Sequence, residues 1–203
     1  MIIKNQGEIL DLDDADVVFF SVENKRPEKA NAIRKQLYSF RNADCFDSFL
    51  DLGDYILADE FSSSHIDEIG YVLSELFLQG KAVLVYTDNE LFMPEAIDRA
   101  YKYLEQASSL IECNRQISNE YGFGSMRSSD WLTGIIQKKT SKMHHYGLLA
   151  YQSNNVDMDQ LEYLHKLGFE AERLGALKAN IAVAEPLIRM GNAMVYRCRN
   201  LIL

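Results

Sequence analysis

The residue types able to bind a metal or run acid-base chemistry are present in this chain, which has four histidines, three cysteines and 30 acidic residues, but their spacing narrows the chemistry open to them. His144 and His145 are adjacent at the opening of an apolar run. Strand geometry sends successive side chains to opposite faces, so the pair does not converge on one ion. Glu162 and His165 have the Glu-x-x-His spacing that sets both on one helical face. A carboxylate-bridged bundle site needs a second such pair, which the chain lacks, so the two read as a solvated face. His65 closes the run Ser62-Ser63-Ser64-His65 ahead of a helical pattern and reads as part of a capping loop. The acidic run Asp11-Leu12-Asp13-Asp14-Ala15-Asp16 has neither the glycine nor the closing glutamate of a calcium loop and reads as a solvated connection. Gly122-Phe123-Gly124-Ser125 is a lone Gly-x-Gly without the third glycine or the lysine that cradles a diphosphate. Cys45, Cys113 and Cys198 are odd in number and without Cys-x-x-Cys spacing, the usage of reduced thiols. Cys198 stands between Arg197 and Arg199, a setting that favours a thiolate. With no histidine partner to be placed beside it, a packed or semi-exposed cysteine without a chemical task is the simpler reading.

A longer wording in the chain carries more information. Residues 163–180, Tyr-Leu-His-Lys-Leu-Gly-Phe-Glu-Ala-Glu-Arg-Leu-Gly-Ala-Leu-Lys-Ala-Asn, are followed by Ala184-Glu185-Pro186-Leu187-Ile188-Arg189 and the apolar Ala193-Met194-Val195-Tyr196. This stretch resembles the arginase family, in particular its bacterial formimidoylglutamase-like members. Ala30-Asn31-Ala32-Ile33-Arg34-Lys35-Gln36-Leu37-Tyr38 is similar to the family's first helix, as is 99–105 to the segment after its third strand. The resemblance implies a three-layer α-β-α fold with a mainly parallel sheet, arginase-like and C-terminally truncated.

The family's activity depends on two bridged manganese ions whose hydroxide attacks a guanidinium or formimino carbon. Such ions need converging oxygen and imidazole ligands, which also lower the pKa of the bridging water. The resemblance places these ligands at three strand ends. A Gly-Gly-Asp-His type turn falls on the segment containing Asp88, Asn89 and Glu90, which has no histidine. An Asp-x-His-x-Asp pattern falls on 111–118, where Asn114 and Ser118 take carboxylate positions. The final Asp-x-Asp falls on Arg197 and Arg199, and a guanidinium repels a cation instead of binding it.

The resulting expectation is a pseudoenzyme with no cofactor, whose role is binding or structural. Arg115, Arg197 and Arg199 would either hold an anionic group or pair with Asp88 and Glu90. A competing expectation is a ureohydrolase with shifted ligands, Asp88, Glu90 and Glu112 around one divalent ion, and manganese is implied only there. Three carboxylates without imidazole would bind it weakly.

Positioning such groups requires strands alternating with helices, and the pattern supplies them. Strands are predicted over 17–22, 49–52, 82–86, 110–113, 147–151, 170–174 and 194–198. Helices are predicted over 27–40, 66–78, 94–104, 130–137, 157–167 and 180–190. Pro27 and Pro94 suit first helical turns, and Asp157 suits an N-cap. Gln116 to Ser129 reads as a loop. In the family a further strand follows the Asp-x-Asp strand and inserts centrally. Without it, the strands around Ala82 and Met194 must either pair directly or leave an apolar edge, so a homo-oligomer or protein partner is expected.

With 203 residues and 47% hydrophobic content the chain can bury a core as a single domain. A net charge of -9 disfavours a phosphate-backbone surface, so no nucleic acid partner is expected. The longest apolar runs fall far short of the ~20 residues of a membrane span. Residues Met1-Ile2-Ile3-Lys4 do not form a signal-peptide arrangement, and a cytoplasmic location without membrane attachment is expected.

Overall fold

The computed structural model describes residues 2–3, 12–24, 28–39, 48–57, 62–87, 89, 92–117 and 131–196. The chain divides into two compact units, Met1–Phe92 and Met93–Leu203.

In the first unit, β1 (Ile2–Ile3), β2 (Val17–Asn24), β3 (Phe49–Leu57) and β4 (Ala82–Thr87) form a sheet in the order β1-β3-β2-β4. Every pairing is parallel. The connections are α1 (Glu28–Ser39) and α2 (Ser63–Leu78), the helical crossovers that parallel neighbours require. Strand β2 is central, and Val17, Val18, Phe19, Phe20 and Val22 are all buried, the continuous apolar run of a strand covered on both faces. Ile33, Leu37 and Tyr38 of α1 pack on Val17, Phe19 and Phe49.

The second unit begins one residue into α3 (Phe92–Tyr103) and holds β5 (Ser108–Cys113), α4 (Trp131–Gln137), β6 (Met143–Tyr151), α5 (Met158–Lys166) and β7 (Glu170–Arg173). It ends with α6 (Leu174–Ala179), a 3-10 turn Ile181–Ala184, α7 (Glu185–Met190) and β8 (Ala193–Tyr196). Its sheet order is β7-β6-β5-β8, again parallel throughout. One apolar cluster joins Ile111, Leu149, Ala184 and Leu187. On another, Tyr146 is fully buried with Trp131 and Phe169 set edge-on at 6.1 and 5.9 Å between ring centroids.

Helix-to-strand turns repeat one device. After α2, Gly80 at φ +70 donates its amide to the Phe77 carbonyl at 3.0 Å, and Lys81 donates to Leu76 at 3.0 Å. After α5, Gly168 at φ +76 donates to His165 at 2.9 Å, and Phe169 to Leu164 at 2.9 Å. These are Schellman caps, in which a left-handed residue lets two amides reach back to the helix's last free carbonyls. After α3 the same pair of bonds forms around Glu105, held at φ 55 without a glycine's freedom.

The fold class is the expected parallel α/β class, and each predicted strand is present over described residues. Several boundaries moved. Strand β3 runs on to Leu57, past the expected end at Leu52, because Gly53 at φ +90 is a bulge residue inside the strand and not its end. Leu174 opens α6, a helix the periodicity had not revealed, and 180–190 is divided between the 3-10 turn and α7. His65 lies in the first turn of α2, not before it, and its Nδ1 accepts from the Ser62 amide at 3.3 Å, so its capping role stands. Asp157 is the N-cap of α5. Among the described residues β4 pairs with β2 and β8 pairs with β5, each at the end of its own unit's sheet. Leu84 on β4 is 45% exposed, and Met194 on β8 is 53% exposed.

Candidate functional site

Ligands of parallel α/β folds bind beyond the carboxyl ends of the strands, and the polar residues of the second unit gather there. Glu112 near the end of β5 is fully buried, where an ionised carboxylate persists only with hydrogen-bond donors around it. The Tyr146 hydroxyl donates to its Oε2 at 2.7 Å, and Asn114 Nδ2 donates to its Oε1 at 3.0 Å. Asn114 is 3% exposed, and its Oδ1 finds no partner among the described residues. Its amide donates to the Leu149 carbonyl at 3.0 Å, and the Gln152 amide donates to the Arg115 carbonyl at 2.8 Å, so the segment after β5 is stitched to the end of β6. Between those bonds the register shifts and Ala150 takes φ 67, an uncommon backbone for a residue with a Cβ.

Cys113 alternates to the other face of β5 and packs against the Ile111, Leu149, Ala184 and Leu187 cluster. Burial and the neighbouring Glu112 carboxylate push its thiol up, away from the thiolate. It is therefore a packed cysteine. His144 is exposed and His145 buried, on opposite faces as expected, and both lie at the start of β6, the far end from Asn114. Glu162 is exposed and pairs with Lys166 at 2.7 Å, one turn along its helix, which fits a solvated face.

In the first unit the turn beyond β4 contains Asn89, whose amide donates to Thr87 Oγ1 at 3.1 Å and whose carbonyl accepts the Phe92 amide at 3.4 Å. It shapes the entry to α3. Asp88, Glu90, Ser118, Arg197 and Arg199 lie outside the described residues. Arg115 is described and exposed.

A second buried polar cluster went unpredicted. Arg34 of α1 is 8% exposed and donates from Nε to Asp51 Oδ2 at 2.7 Å and from Nη1 to Asp54 Oδ1 at 2.6 Å. Tyr38 also donates to Asp51, the Gly53 amide donates to Asp51 Oδ1 at 2.8 Å, and Ser21 Oγ donates to Asp54 at 2.5 Å. The guanidinium lies 5.2 Å from the Phe19 ring centroid. Burial acts to raise the Asp51 pKa, but the Arg34, Tyr38 and Gly53 donors outweigh it and hold the carboxyl below its usual value. The signal for this cluster was an arginine at the buried position of an amphipathic helix, which sequence alone does not separate from a surface arginine.

The described residues of the second unit do not fit a dimanganese centre. A carboxamide stands at 114, the buried Glu112 carboxylate has both oxygens engaged by Tyr146 and Asn114, the buried Asp98 is held by Ser141, the Lys142 amide and Lys102, and the His144 and His145 imidazoles are at the other end of β6. Among the described residues no group of three or more His, Cys, Asp or Glu side chains is placed to hold a metal.

No protein-family model and no curated protein matches the chain. Among solved structures it is similar to a manganese-containing formiminoglutamase of Trypanosoma cruzi at TM-score 0.68 and 12% identity, over 89% of this chain and 68% of that one. It is also similar to an agmatine ureohydrolase of Thermoplasma volcanium at TM-score 0.63 and 14% identity, over 93% and 68% of the two chains. An arginase-like protein double mutant of T. brucei matches at TM-score 0.58 and 11% identity, over 81% and 58%. The chain therefore has an arginase/ureohydrolase-superfamily fold, in the three-layer α/β class. At these identities the likeness establishes the fold alone. No helix among the described residues is long and apolar enough to cross a membrane.

Proposed function

We propose that this is a catalytically degenerate arginase-fold protein, one domain over 1–203 that acts in the cytoplasm through association with a second copy or another protein and carries no cofactor. The observation that supports this most is the Glu112–Asn114–Tyr146 cluster. Where the family resemblance sets a metal-binding carboxylate, this chain has a carboxamide whose Nδ2 donates to Glu112. A neutral amide that satisfies a buried carboxylate is a packing arrangement. An ion there would compete with two hydrogen bonds that Glu112 already makes in a desolvated site, each worth on the order of 1.5–3 kcal/mol if the carboxylate is charged. On this reading Arg115, with Arg197 and Arg199, serves an anionic group or internal pairing, not chemistry on a guanidinium. The competing ligand set of Asp88, Glu90 and Glu112 has lost its third member to that same cluster.

The deciding experiment is elemental analysis of purified protein loaded with excess manganese and then desalted. Less than about 0.1 manganese per chain is the expected result. One or two per chain would overturn the proposal and call for assays of guanidino and formimino hydrolysis.

A further inference from the structure

We draw no further inference here: the strongest candidate, the buried Glu112–Asn114–Tyr146 side-chain cluster at the carboxyl end of β5, in which Asn114 Oδ1 has no hydrogen-bond partner among the described residues, belongs to the site already described.

Discussion

Arg34, Asp51 and Tyr38 form a buried cluster whose contribution to the stability of the first unit depends on pH. The Asp51 pKa is lowered in the fold, so its contribution is present above the ordinary value of 3.8 and is lost as the pH falls through the lowered value. Burial and the Asp51 carboxylate push Tyr38 up to about 12, so its contribution is complete below the ordinary 10.0 and is lost as the pH rises through about 12. Urea midpoints measured against pH should therefore be flat from these groups between those ordinary values and fall on both sides, with Asp51→Asn removing much of the acid-side fall. Arg34→Met strands two carboxylates near a helix, and a loss of about 3 kcal/mol is expected in the same unfolding measurement. Sequence reading did not reach this cluster because burial of a charged side chain is a tertiary property. It did reach Asn114, because that reading depended only on residue type at a position the family resemblance marked.

At the scale of elements, the helix caps give a matched set of expectations. A Cβ at Gly168 would meet no atom within 4 Å, so Gly168→Ala should cost only the backbone penalty of a left-handed residue, about 1 kcal/mol, read from thermal or urea unfolding. Glu105→Gly should do the reverse, since Glu105 already bears that penalty at φ 55. Gly191 is different, with an ordinary backbone but an absent Cβ whose place is taken by Ile111 Cγ1. Gly191→Ala should cost about 1–3 kcal/mol, and Ile111→Ala in the same chain should cost less than the sum of the two changes. Strand existence was legible from short apolar runs, as at 17–22, because a strand buried between helices needs no finer pattern. The second half of β3 was not, since Gly53 and Asp54 have turn composition, and only the pairing with Ser21 shows them to be a bulge inside a strand.

At the scale of the molecule, the arginase-like fold could be read from the wording of 163–189, and the structural neighbours bear the fold out at 12% identity. What the wording did not carry was the pairing of strands, because register depends on contacts between distant segments. The division into two four-stranded sheets follows from β4 and β8 each having one strand neighbour among the described residues. Native-state hydrogen exchange should reflect it, with amides of central β2 and β5 slowest and those on the outward sides of β4 and β8 fast in a monomer.

The strand orders also set a timetable for synthesis. Ile2 pairs with Phe49, so β1 must wait for a partner 47 positions later in the chain. In the second unit Leu110 pairs with Ala193, 83 positions away. Strand β5 is thus left without its β8 neighbour until that strand has been made. Chaperone occupancy along the nascent chain should accordingly peak between the emergence of β5 and that of β8.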